Sequence, residues 1–236
     1  MHFRESHLIK TEAESGKKEK LTEIAKEAVI EVNNHGFVIG EGKTAEIKIL
    51  SEENAICVKI VDKNKVRREK IPLTNHVDEE LDFLDKLNDP IFLKSIGISQ
   101  ETIAPKPFFS YSENGYGFLF MARIKGASLK EVFNEENKEN TPKDIKWPEF
   151  FKKLKDIIEK LNANNIYHRD LHTGNIMIDE NQNPIIIDFG NAYESFYSED
   201  NPYTEISING QINYHKDSEY LKEIKKEIEI LQNKNL

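Results

Sequence analysis

The 236-residue chain is 38% hydrophobic and 32% charged, with a formal net charge of −9. This excludes disorder throughout and opposes general binding to nucleic-acid phosphates. The length suits one substantial core or two small lobes sharing a cleft. A single cysteine, Cys57, excludes an intramolecular disulfide framework and a thiolate zinc cluster, so a reducing, cytoplasmic compartment is expected. No long apolar stretch follows Met1, and neither a cleaved secretory signal nor a membrane span is expected.

Residues 1 to about 20 are polar, include Lys17-Lys18-Glu19-Lys20, and read as a solvated tail. Leu21, Ile24, Ala25, Ala28, Val29 and Val32 then recur at helical spacing, predicting an amphipathic helix that stops near Asn33-Asn34-His35-Gly36 and packs on the body. From Phe37 to about Leu50 and from Ala55 to Val61, β-branched residues interrupted by glycine predict a small sheet. The basic run Lys63, Lys65, Arg67, Arg68 and Lys70 reads as an exposed loop. Leu81, Leu84 and Leu87 predict a helix from Asp78 to Leu87, which Pro90 prevents from running further.

A strand is expected over Tyr116 to Arg123, and Glu131, Glu135, Glu136 and Glu139 read as a solvated helix face. Phe150, Phe151, Leu154, Ile157, Ile158 and Leu161 then mark a core helix, with Pro148 near its first turn. Two short strands, Ile176-Met177-Ile178 and Ile185-Ile186-Ile187, flank a polar turn. A last helix runs from Tyr220 to Leu231, with Leu221, Ile224, Ile228 and Leu231 inward; no internal repeat is present.

Chemistry concentrates in His168-Arg169-Asp170-Leu171-His172-Thr173-Gly174-Asn175, followed thirteen positions after Asn175 by Asp188-Phe189-Gly190. These segments resemble the catalytic loop and metal-binding motif of the protein-kinase superfamily, including the five-residue step from the loop aspartate to its asparagine. The resemblance covers roughly Phe37 to Ala192. It implies an α+β, bilobal fold: a polar tail and helix over 1–35, a small antiparallel-sheet N-lobe over 36–121 and a truncated, mainly helical C-lobe over 122–236.

By the same resemblance, ATP and magnesium, with manganese as a substitute, are the cofactors. Asp188 and Asn175 would hold the metal, and Asp170 would accept the proton of the attacking hydroxyl. Gly40-Glu41-Gly42-Lys43-Thr44-Ala45-Glu46-Ile47 resembles a glycine-rich loop, with Ala45 in the usual third glycine position and its methyl restricting the backbone. Cofactor contacts are thereby implied for Gly40, Gly42, Lys43, Thr44, Ala45 and Ile47. Cys57-Val58-Lys59 matches the strand-lysine motif, and Glu80, with Glu79 as competitor, is the partner implied for Lys59 on the following helix. Met121 becomes the gatekeeper, and the Ala122 carbonyl and Ile124 amide would face adenine.

His172 stands where protein kinases usually carry lysine, and Thr173-Gly174-Asn175 is closer to aminoglycoside- and choline-type phosphotransferases and to bacterial effector kinases. Compact type III secreted effector kinases also share the Thr44-Ala45-Glu46-Ile47 stretch and the short end after Gly190. The resemblance therefore implies a serine/threonine protein kinase with a protein substrate, and a host-protein partner if it is secreted. A small-molecule phosphotransferase and a non-catalytic binding module are the alternatives.

Overall fold

In a computed structural model of the chain, the described residues are 2–5, 27, 29–30, 37–41, 45–51, 55–62, 77–136, 139–194 and 217–234. They form two compact units: residues 1–86 with 105–123, and residues 87–104 with 124–236.

The first unit is built on a six-stranded antiparallel sheet in the order β1-β5-β6-β4-β3-β2. Its strands are β1 (His2–Glu5), β2 (Phe37–Glu41), β3 (Ala45–Ser51), β4 (Ile56–Asp62), β5 (Pro107–Glu113) and β6 (Tyr116–Ala122). Alternation along the strands separates two faces. Val58, Ile60, Phe109, Tyr111, Phe118 and Phe120 form an apolar cluster that also holds Val29 from the helical residues near the N-terminus. Phe109 and Phe120 stack at its centre, ring centroids 4.3 Å apart. Lys59, Ser110 and Leu119 alternate with these residues and stand on the other side.

Helix α1 (Val77–Leu87) carries Val77, Leu81, Leu84 and Leu87 as a buried stripe. It ends before Pro90, and that proline opens the next helix, α2 (Pro90–Ser95), in the second unit. Proline suits a first helical turn because its missing N–H has no partner to lose there. Asp89 caps the helix by accepting a hydrogen bond from the Ile91 amide at 2.9 Å.

The expected solvated tail needs correction at His2–Glu5, which pairs antiparallel with β5 and places Phe3 opposite Tyr111. A short edge strand needs only backbone hydrogen bonds from one neighbour, so its polar composition gives no apolar alternation to read. The Lys17–Lys20 run, the basic run at 63–70 and most of the helix expected from Leu21 to Val32 lie outside the described residues.

The second unit centres on α4 (Trp147–Ala163), whose Phe150, Leu154, Ile157, Ile158 and Leu161 are buried. A small sheet in the order β10-β9-β7 uses β7 (Gly126–Ser128), β9 (Ile176–Asp179) and β10 (Pro184–Ile186). Gly126 is required at its place, since a Cβ there would lie 2.1 Å from the Ile178 carbonyl oxygen. Helix α3 (Leu129–Phe133) begins in a capping box between Ser128 and Glu131. A two-stranded ladder joins β8 (Ile166–Tyr167) to β11 (Tyr193–Glu194). Helix α5 (Asp217–Lys234) buries Leu221, Ile224 and Ile228 and exposes Lys222, Glu223, Lys225, Lys226, Glu227 and Glu229. Among the described residues, no helix is long and apolar enough to cross a membrane.

Candidate active site

Lys59 lies mid-strand in β4, opposite Ile47 of β3 and Leu119 of β6. Only 3% of it is exposed, and its Nζ donates to Glu80 Oε2 at 2.6 Å. Glu80, also 3% exposed, projects from the first turn of α1, where negative charge suits the helix dipole. Glu79 is exposed, so of the two candidate carboxylates the structure brings Glu80 to Lys59.

Cys57 shares the face of Lys59 two residues earlier and stands opposite Met121. Burial pushes its thiol from the ordinary 9.0 up to about 12, with the positive charge of Arg123 and a backbone hydrogen bond pulling the other way. At pH 8 the folded thiol should therefore react with iodoacetamide about a thousandfold more slowly than the unfolded one. Equal rates would contradict its burial. As pH rises past 9.0 the unfolded chain loses this proton first, so the thiol's contribution to stability falls between 9.0 and about 12.

Gly40 pairs with Ile47, just after a register shift in β2, and Ala45 pairs with Val61. Gly42, Lys43 and Thr44 lie outside the described residues. At the end of β6, the Ala122 amide donates to the Lys106 carbonyl at 2.8 Å and the Arg123 amide to the Ala55 carbonyl at 2.6 Å. Ile124 follows in the second unit.

In that unit, β8 leads into His168 to Asn175, a loop fixed from several sides. The Asn175 side-chain amide donates to the Asp170 carbonyl at 2.9 Å, which leaves its Oδ1 as an oxygen donor for another partner. The Ile187 amide donates to the Asn175 carbonyl at 2.9 Å, which sets Asp188 beside the loop. His168 is 2% exposed. Its Nδ1 accepts from the Asp170 amide at 3.3 Å, so the contact between Nε2 and the Ile187 carbonyl at 2.9 Å requires the proton on Nε2. Phe189 packs edge-on against the same imidazole. One buried histidine thus ties the aspartate of the loop to Ile187, the residue directly before the second aspartate.

Two non-glycine residues here adopt left-handed backbone, Arg169 at φ 67° and Asp188 at φ 62°. Such conformations cost about 1–3 kcal/mol and persist only where the surroundings impose them. At Arg169 the imposing group is Asp217, at the start of α5. Its Oδ2 accepts from the His168 amide and its Oδ1 from the Arg169 amide, both at 3.0 Å. Sequence reasoning missed Asp217 because an aspartate opening a helix looks like an ordinary cap. Asp217→Ala should destabilise the chain by about 3 kcal/mol, measured by urea unfolding, and lower any activity that depends on Asp170. A change within error would contradict the role given to this carboxylate.

Around Asp170, Asn191 Nδ2 donates to Oδ2 at 3.3 Å. The Tyr220 phenol has its proton loss pushed upward by burial first and then by the negative charges of Asp170, Glu223 and Asp217. His172 turns back on its own loop, its Nδ1 accepting from the Gly174 amide at 3.0 Å. A Cβ on Gly174 would lie 2.8 Å from the His172 ring, so a larger residue there would displace this imidazole. Among the described residues, no group of three or more His, Cys, Asp or Glu side chains is arranged to hold a metal. Asn175 with Asp188 is a sparse pair of hard oxygen donors, which fits magnesium bound mainly through water and substrate phosphates.

The protein kinase domain family matches residues 34–215. The chain therefore belongs to that family, and its α+β architecture is that of a kinase domain. Relatives include CBL-interacting serine/threonine-protein kinase 20 of Arabidopsis thaliana, 26% identical over 161 residues covering 66% of this chain and 32% of the relative. CBL-interacting protein kinase 28 of Oryza sativa subsp. japonica is 28% identical over 153 residues, covering 63% and 30%. A probable serine/threonine-protein kinase of Dictyostelium discoideum is 36% identical over 122 residues, covering 48% and 16%. The chain thus spans about a third or less of the length of these relatives.

Proposed function

We propose that this chain transfers the γ-phosphate of ATP to serine or threonine hydroxyls of a protein. The observation that carries the reading is the Lys59–Glu80 pair: two charges, each 3% exposed and 2.6 Å apart, on one face of a sheet whose other face is apolar. Burying an ion pair gains little net stability over a packed apolar pair. Its presence within the Cys57-Val58-Lys59 motif strand is accounted for by a job that needs a fixed, partly dehydrated ammonium. Lys59 would bind the α- and β-phosphates, and Glu80 would hold it in place.

Asp188 and the Asn175 side-chain oxygen would bind magnesium. Held there, the metal would supply positive charge that offsets the charge of the phosphates. Asp170 would orient the acceptor hydroxyl and take its proton as the oxygen bonds to the γ-phosphorus and the bond to ADP breaks. Its backbone is already held by His168 and Asn175. Cys57, Met121, Ala122 and Ile124, with the loop from Gly40 to Ile47, would enclose the nucleotide.

Serine/threonine specificity is supported by the names of distant relatives. The Thr44–Ile47 stretch and the Thr173–Asn175 loop support a likeness to secreted effector kinases, and with it a host protein as partner. The test supplies γ-labelled ATP and magnesium with either a protein mixture or aminoglycosides and choline. Label on protein serine or threonine is expected. Label only on the small molecules would replace this reading with the small-molecule one, and label on neither would favour a binding module.

A further inference from the structure

Two of the directional contacts between α1 and the sheet are the Lys59–Glu80 pair and one that does not involve the lysine proposed to bind phosphate. The other joins Ser110 on β5, fully buried, to Asp78 in the first turn of α1, with Ser110 Oγ donating to Asp78 Oδ1 at 2.5 Å. Ladder register puts both contacts in one transverse row. Ser110 is opposite Leu119, and Leu119 is opposite Lys59. Residues paired in this way share a face of the sheet. Ser110 and Lys59 therefore stand on the same side, two strands and about 10 Å apart.

The helix completes the geometry. Over its first two turns, where Asp78 and Glu80 stand, the buried stripe consists of Val77, Leu81 and Leu84. With about 100° between successive residues, Asp78 projects from one flank of that stripe and Glu80 from the other. Burial of the leucines selects the inward side of the helix, and because apolar contact is non-directional it sets the roll less finely than a hydrogen bond does. Hydrogen bonds on opposite flanks resist rolling in both senses.

We infer that the Ser110–Asp78 hydrogen bond is a positioning clamp that fixes the roll of α1 and so keeps Glu80 on Lys59. Ser110 and Asp78 are positioning residues, acting on nucleotide through the ion pair. The inference rests on the functional reading above for its catalytic consequence, while the clamp itself rests on the register and the two bonds.

The test uses the full chain, γ-labelled ATP, magnesium and casein as acceptor. Ser110→Ala should lower kcat/KM for ATP about tenfold, mainly through KM. Ser110→Thr, which keeps the hydroxyl, should stay within about twofold of wild type. If that variant does not fold by circular dichroism, Asp78→Asn, whose amide oxygen still accepts, takes its place. In a Glu80→Gln background, Ser110→Ala should add less than about twofold, because the clamp then has no carboxylate to position. A full additional loss in that background, or no loss in Ser110→Ala itself, overturns the clamp. A wild-type chain that transfers no label counts against the functional reading instead. The clamp is then read from unfolding: Ser110→Ala should at least halve the Lys59–Glu80 coupling in a double-mutant cycle, and unchanged coupling overturns it.

Discussion

Lys59→Ala is expected to lower folding stability by about 3–5 kcal/mol, because it leaves the Glu80 carboxylate buried without its ammonium. The same change should abolish phosphotransfer. A loss of stability alone could explain both effects, so the informative companion is Lys59→Met with Glu80→Leu. Replacing both charges by apolar groups of similar length removes the burial penalty and should return stability to within about 1–2 kcal/mol of wild type. Activity should not return. Guanidinium unfolding and ATP turnover on the same samples check this, and a stable double variant that still transfers phosphate would contradict the role of the pair.

Asp170→Ala is expected to lower kcat by about 10²–10⁴ while leaving the fold intact. The Asp170 carboxylate is half-buried and receives one long hydrogen bond from Asn191, whereas its backbone N–H and carbonyl bind His168 and Asn175. Removing the carboxylate therefore spares the contacts that shape the loop. Thermal unfolding should shift little, and steady-state kinetics should show the loss in kcat rather than in the KM for ATP.

Much of this arrangement was legible in the sequence because two signals are local. Leu81, Leu84 and Leu87 repeat at the helical period and lie buried in α1, while the step from Asp170 to Asn175 is a single tight loop. The competition between Glu79 and Glu80 could be argued from the same period, since only one position flanks the leucine stripe. Other parts depend on partners remote in the chain. β5 mixes Pro107, Phe108, Phe109, Ser110 and Tyr111, which show no clean alternation until its two faces acquire different neighbours. β1 is defined only by the β5 edge that it covers. Asp217 binds amides 48 and 49 residues earlier, and Ser110 meets an aspartate 32 residues away. No periodicity carries separations of that kind.

His172 has a structural part in the loop. Its residue type departs from the lysine usual in protein kinases, and its ring caps the loop at Gly174 rather than extending from it. The imidazole thus does at least a structural job beside Asp170.

Transfer of label from γ-labelled ATP to protein serine or threonine, followed in parallel for wild type and Asp170→Ala at matched folded concentration, bears most directly on the central claim. Phosphoamino acid appearing with wild type and falling at least a hundredfold in the variant is the predicted result. Equal transfer by both chains would show that Asp170 does not serve the reaction, and the assignment of the loop would fall.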